Sequence, residues 1–303
     1  MREDRAEMSS FTITTFGCII FYCQSLFSMK GNSIFFCLLF ILSLSGFSQR
    51  DPVASRGKAN LVPDLTVQKT AFDQYHLFLS THTVIDSSAD KDYTMVKRVG
   101  ERIVAAAKAY YHNQKDVSLE LNSYHWEMKL IGKKEANAWC LPDGKMAVYS
   151  GLLPIAQGEA SLAVLVGHVT AHILLKHGDK RMKLYLQEKK EERLLTKTRS
   201  SRPEDTNGLY TAAYGMGTNA GIWEPFSIEN EVDADKLGLI FCALAGYNPR
   251  VSLVFWERMA RLSRGPQQPE LVSIHPVMDT RIIQLSYIMD ETVKKYYKPI
   301  IKK

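Results

Sequence analysis

The sequence predicts a helix-rich α+β domain. Long segments carry apolar residues at helical spacing, only two short runs read as strands, and no internal repeat of fixed period is present. An apolar fraction of 46% with 23% charged residues is that of an ordinary globular chain, and 303 residues leave room for one large domain or two small ones. The elements follow in order. Asp51–Pro63 is polar, contains two prolines and reads as a linker inside an N-terminal segment over 49–92. Tyr93–Tyr111 places Val96, Val99, Ile103, Val104 and Ala107 at helical spacing, with Lys and Arg on the outer face. His125–Ile131 and Lys145–Leu153 read as short strands, the second starting after the turn signal Pro142-Asp143-Gly144. Next comes a helix apolar on most sides from Leu162 to Leu175. Glu159 complements the dipole at its N-terminus, and Gly178 is expected to stop it, with Lys176 and His177 in the last turn. The charge-dense stretch 180–210 reads as an excursion, a lid or a disordered loop. A second helix is expected from Ser227 to a stop at Gly246, and a third from Pro249 to about Arg264. The main domain then closes through His275–Asp290, giving bounds of 93–290 and a basic tail over 291–303.

The formal charge of +6 sits largely in Lys176–Arg202 and in the C-terminal lysines. Such runs are ordinarily solvated faces, so no nucleic-acid partner is expected; weak attraction to a membrane periphery is the most they allow. The first 48 residues form a leader. Between Glu7 and Arg50 the only charged residue is Lys30. Met29-Lys30, the apolar run Ile34–Leu44 and the small residues Gly46 and Ser48 have the layout of a signal peptide over 29–48. That apolar core is short for a spanning helix, which needs roughly 20 residues. Residues 1–28 read either as an over-extended start or as a genuine hydrophobic extension. The expectation is an exported protein, periplasmic or in the outer envelope, membrane-associated if the apolar stretches are retained. Phe47 stands where a lipidated cysteine would be, so a lipid anchor is not supported. Only Cys140 and Cys242 remain beyond the leader, which gives no disulfide framework and no CxxC pair.

The chemistry-bearing stretch is GHVTAHILLKHG, residues 167–178. His168 and His172 stand at i and i+4, with Cβ atoms roughly 6 Å apart. Two imidazoles so placed can share one tetrahedral zinc, yet an HxxxH pair alone is more often a set of satisfied core histidines. Glu231 and Asp235 repeat the spacing on the next long helix. Two histidines from one helix and a glutamate from another make three ligands and leave a fourth position for water. Asp235, one turn on, is placed to accept the outer N–H of a ligating histidine. An acidic, dipole-favouring helix start explains the same acidic residues without a metal.

Four ordered segments resemble one family. GHVTAHILLKHG, EVDADKLGLIFCALAGY, NAWCLPDGKMAVYSGLL (Asn137–Leu153) and HPVMDTRI (His275–Ile282) are similar to motifs of the HtpX-type and CAAX-prenyl-protease-type zinc metallopeptidases, peptidase family M-forty-eight. The resemblance spans roughly 95–285. It implies a zincin-like (gluzincin) domain with a small edge-strand sheet beside the zinc helix. One zinc ion would be held by His168, His172 and Glu231, with Asp235 behind them. Lys145, Met146, Ala147, Val148 and Tyr149 would form the edge strand that pairs with an extended polypeptide. His275 and Arg281 would stabilise the oxyanion on the scissile carbonyl; a helix start and a surface ion pair would account for them equally well.

Val169 departs from this pattern, because it occupies the position of the family's catalytic glutamate. Valine can neither take a proton from water nor return one to the leaving amine, and a lost general base costs about 10²–10⁴ in rate. Ile228 replaces the family's arginine before the ligand glutamate, and Asp143 stands where a second turn glycine is usual. Two expectations stand. The chain is a zinc metalloendopeptidase of the cell envelope acting on extended or misfolded polypeptides, or it is a pseudopeptidase that holds zinc and binds peptide segments or partner proteins without cutting them.

Overall fold

The computed structural model describes residues 65–112, 121–181, 213–216, 225–266, 269–277 and 279–300, with side chains from residue 72 onward. These lie within one compact unit, Ala59–Lys303. The leader, most of the 180–210 stretch and the end of the basic tail fall outside the described residues.

Helix α1 (Leu65–Thr81) and strand β1 (Val84–Ile85) precede the long α2 (Lys91–His112). The sheet is completed by β2 (Glu127–Ile131), β3 (Ala138–Leu141) and β4 (Lys145–Tyr149). The short α3 (Leu153–Ala156) leads into α4 (Glu159–Leu174). After it come α5 (Ile228–Leu244), α6 (Val251–Ser263), the short α7 (Glu270–Ile274) and α8 (Asp279–Tyr296). Helices outweigh strands, as the periodicity predicts. Among the described residues no helix is long and apolar enough to cross a membrane.

Amphipathic spacing explains α2: Val96, Val99, Ile103, Ala107 and Tyr110 are buried against β2 and α4, while Lys97 and Glu101 point outward. Helix α4 lacks a polar face, and every residue from Leu162 to Leu174 is buried. It is the central helix, packed against α2, β3, α5 and α6. Its N-terminus is tied down by Glu159, which accepts from the Arg98 guanidinium and from the Tyr247 hydroxyl.

The sheet has the order β1-β2-β4-β3, with β2 and β4 parallel and the other pairs antiparallel. This corrects one expectation. Lys145, Met146, Ala147, Val148 and Tyr149 are bonded on both sides, by β2 and by β3, so β4 is an interior strand. The strand at the edge beside α4 is β3. The Pro142–Gly144 turn folds β3 back onto β4, with Asp143 (φ 71°) and Gly144 (φ 80°) in the left-handed region. The Asp143 carboxylate there holds the His125 ring and backbone N–H, 18 residues earlier in the chain, a bond glycine could not make.

The end of α4 also differs from the sequence reading. The helix stops at Leu174, Lys176 takes the left-handed conformation (φ 56°), and helix resumes over 177–181. Gly178 is therefore not the stop. His177 is turned inward and fully buried, and it begins the resumed helix instead of lying in the last turn of α4.

Candidate metal centre

Helices α4 and α5 cross at two glycines, and that crossing assembles the site. A Cβ on Gly167 would lie 2.7 Å from the Gly238 carbonyl oxygen, and one on Gly238 2.7 Å from the His168 nitrogen. Backbone therefore meets backbone, and side chains one or two turns away interleave across the gap. Helix α5 starts where the sequence indicates, with the Ser227 hydroxyl accepting from the Asn230 N–H, and it ends before Gly246 (φ 83°). Its first turns face α4 and present Glu231 and, one turn on, Asp235.

The structure brings four buried side chains to one point. His168 Nε2 lies 3.1 Å from His172 Nε2 and 3.2 Å from His275 Nδ1. Glu231 Oε1 lies 2.9 Å from His275 Nδ1 and 3.2 Å from His172 Nε2, and its other oxygen is 3.4 Å from His168 Nε2. The four donor atoms all fall within 4.8 Å of one another. A tetrahedral ion with bonds near 2.0–2.1 Å separates its ligands by about 3.3 Å, so the spacing and the donor types fit zinc. His275, expected beside the metal as an oxyanion group, has its Nδ1 among the four clustered donor atoms. The proline after it and the length of the intervening chain gave no signal of this.

Behind the donors stands an ionic frame. His168 Nδ1 is 2.9 Å from Asp235 Oδ1, somewhat off the ideal hydrogen-bond line. Arg281 donates from Nε and Nη2 to both Asp235 oxygens at 2.7 and 2.8 Å, and its Nη1 lies 2.6 Å from Glu231 Oε2 and donates to the Pro276 carbonyl. The Arg281 guanidinium also covers the Trp256 ring, 4.5 Å from its centroid, and is 1% exposed. It is engaged with the Glu231 and Asp235 carboxylates of α5, whose charge it balances.

The protonation states follow from this frame. Burial opposes the charge on Glu231, but Arg281 and the three histidines outweigh it and hold its carboxyl well below the ordinary range. Asp235 is lowered in the same way, against burial, by Arg281 and His168. Burial also opposes a proton on His168, yet Glu231 and Asp235 overcome it and raise its pKa. For His172 and His275 burial prevails, and both are lowered. Two neutral imidazoles and a carboxylate anion are the states in which these groups donate electron pairs to a cation.

Two further residues of the site escape a linear reading. His177 Nδ1 is 3.1 Å from His172 Nδ1, the ring nitrogen turned away from the donor group. The Phe226 ring lies over His172, centroids 4.2 Å apart, and 5.1 Å from His275. Val169 is 4% exposed and lines a small cavity with His172 and His275; no carboxylate lines that cavity among the described residues. Thr170 is buried and donates its hydroxyl to the Val166 carbonyl, away from the donors.

The model of Peptidase family M48 matches residues 92–289. The mitochondrial metalloendopeptidase OMA1 of Homo sapiens is 26% identical over 266 residues, which are 86% of this chain and 49% of that protein. Its Arabidopsis thaliana counterpart is 28% identical over 178 residues, 58% of this chain and 34% of that one. The β-barrel assembly-enhancing protease of Escherichia coli is 25% identical over 164 residues, 50% and 32% of the two chains. The chain spans about a third to a half of the length of these relatives. The family match takes in all four donor residues and more than half of the chain, which belongs to the M48 family of metallopeptidases.

Proposed function

We propose that the chain is a zinc-holding member of its family that binds polypeptide segments and hydrolyses them poorly or not at all. His168, His172 and Glu231 would hold the metal and leave the fourth position to water or a carbonyl, with His275 beside it, and Asp235 with Arg281 would fix the frame. A zinc ion held there supplies Lewis-acid polarisation of a carbonyl and acidifies water. The chain's own residues must then move the proton, and here they fall short. Val169 has no basic atom, Thr170 is bonded to its own helix, and His275 is engaged with Glu231 and His168. The carrying observation is the cavity beside His172, which Val169 lines and no described carboxylate enters.

The competing reading is an active endopeptidase, favoured by the intact ligand set. Export to a cell envelope belongs to either reading and rests on the leader 29–48. The experiment is a zinc measurement with a casein-cleavage assay on the wild-type chain and on Val169→Glu. About one zinc per chain is expected, with no cleavage by wild type and chelator-sensitive cleavage by the variant. Chelator-sensitive cleavage by the wild type would overturn the non-hydrolytic reading, and zinc-free protein would overturn both.

A further inference from the structure

The cavity beside the donor group is filled from within the chain. Trp139 and Cys140 of β3, Val169 and Ile173 of α4, His275 and Tyr214 are among the residues that line it. About 10 Å³ is left, room for no more than one water. Tyr214 belongs to the segment 213–216, all four residues of which are buried. This segment is wedged between two walls. The Gly215 carbonyl accepts from Asn137 Nδ2 at 3.1 Å, just before β3, and a Cβ on Gly215 would lie 3.4 Å from Ile274 and 3.9 Å from Trp139. Gly215 has φ 81°, so another residue there would be strained. The Tyr214 hydroxyl donates to the Asp179 carboxylate. Gly178 makes room for the ring, since a Cβ there would collide with it.

We infer that residues 213–216 occupy the groove in which a bound polypeptide would lie, and that the pocket beside His172 and Val169 is shaped for a tyrosine-like side chain. The inference rests on the peptide-binding reading of the site. Its chemistry is a match of parts: largely apolar walls take the ring, and the Asp179 carboxylate, beyond the residues that line the cavity, takes the hydroxyl. An aliphatic side chain would make no bond to Asp179 and would leave the cavity partly empty. An incoming peptide must displace Tyr214, so apparent affinity falls by the fraction of time the segment is out of the groove.

Two measurements on the full chain test this. The first titrates a fluorescent Ala-Ala-Tyr-Gly-Met-Gly peptide, copying residues 212–217, into wild type and Tyr214→Ala. Binding about tenfold or more tighter is expected for the variant, with loss of binding when the peptide tyrosine is replaced by leucine. The second follows alkylation of Cys140 by mass spectrometry. Cys140 lines the cavity and is 3% exposed, while Cys242, 0% exposed in α5, reports on global unfolding. Cys140 should react faster in Tyr214→Ala with Cys242 unchanged; should that variant unfold, Tyr214→Phe, which removes only the hydroxyl, should show a smaller acceleration. Unchanged Cys140 reactivity in both variants would overturn the occupied groove, and equal binding of the tyrosine and leucine peptides would overturn the aromatic pocket. If Cys140 opens but neither peptide binds, the peptide-binding reading falls with it. Neither measurement requires hydrolysis or bound metal, so a failure of the zinc reading leaves both readable.

Discussion

Gly167 and Gly238 face each other across the crossing of α4 and α5, so close that neither can carry a Cβ. Alanine in place of a mid-helix glycine ordinarily stabilises by about 0.5–1 kcal/mol. At Gly238 the sign should reverse, because the new methyl meets the His168 backbone. Gly238→Ala is expected to lose about 1–3 kcal/mol in denaturant unfolding, and to weaken zinc binding by moving Glu231 and Asp235 away from the histidines. A stabilised variant with normal zinc affinity would refute the packing argument.

Arg281 balances two buried carboxylates at once. Arg281→Met removes the balance and leaves Glu231 and Asp235 charged and buried, a loss of about 3–5 kcal/mol. Lysine should rescue little, since a single ammonium cannot span both Asp235 oxygens. Urea unfolding of the two variants measures this. A Met variant as stable as wild type would mean that the frame is unnecessary.

His177 holds the outer nitrogen of His172. With His172 donating through Nε2, its Nδ1 carries the proton and His177 Nδ1 accepts it. His177→Phe is expected to reduce zinc affinity about 10–100-fold, while His177→Asn, which keeps an acceptor oxygen, should retain most of it. Competition titration with a chromophoric chelator separates the two variants. Equal losses in both would assign His177 to packing alone.

Zinc affinity should fall as pH is lowered. Ligating imidazoles must be deprotonated, and the pKa of His168 is raised above its ordinary 6.5 by Glu231 and Asp235. A proton therefore competes with the metal at His168, and the decline begins above pH 6.5 and steepens below it. The lowered values of His172 and His275 postpone their protonation to more acidic conditions. Isothermal titration between pH 5.5 and 8, on the order of the imidazole range, checks the slope. A flat profile across that range would contradict the expected ligand set.

Much of the architecture was legible along the chain because local chemistry specifies it. The apolar spacing of α2, the Ser227 cap and Gly246 stop of α5, and the turn at Asp143-Gly144 are each decided within a few residues. The HxxxH and ExxxD spacings marked His168, His172, Glu231 and Asp235, because helical periodicity alone puts each pair on one face. The errors lay where non-local pairing decides. Whether β4 is an edge depends on where β3 lands, and its four residues follow too closely on Asn137 to announce a strand. The end of α4 depended on Lys176 accepting a left-handed backbone that Gly178 seemed better suited to supply.

By itself, then, the sequence determined the helical frame and the two helices that carry the HxxxH and ExxxD pairs. Tertiary structure decided which atoms meet. It carried His275 from the far end of the domain, 107 residues beyond His168, into the donor group. It also turned His177 inward behind His172 and set Tyr214 in the lining of the cavity beside Val169. The physical reason is that periodicity and capping act over one or two turns, whereas a metal site is closed by side chains whose convergence depends on how helices cross. Here that crossing is set by two glycines, and only their contact brings α5 close enough for its carboxylates to reach the histidines.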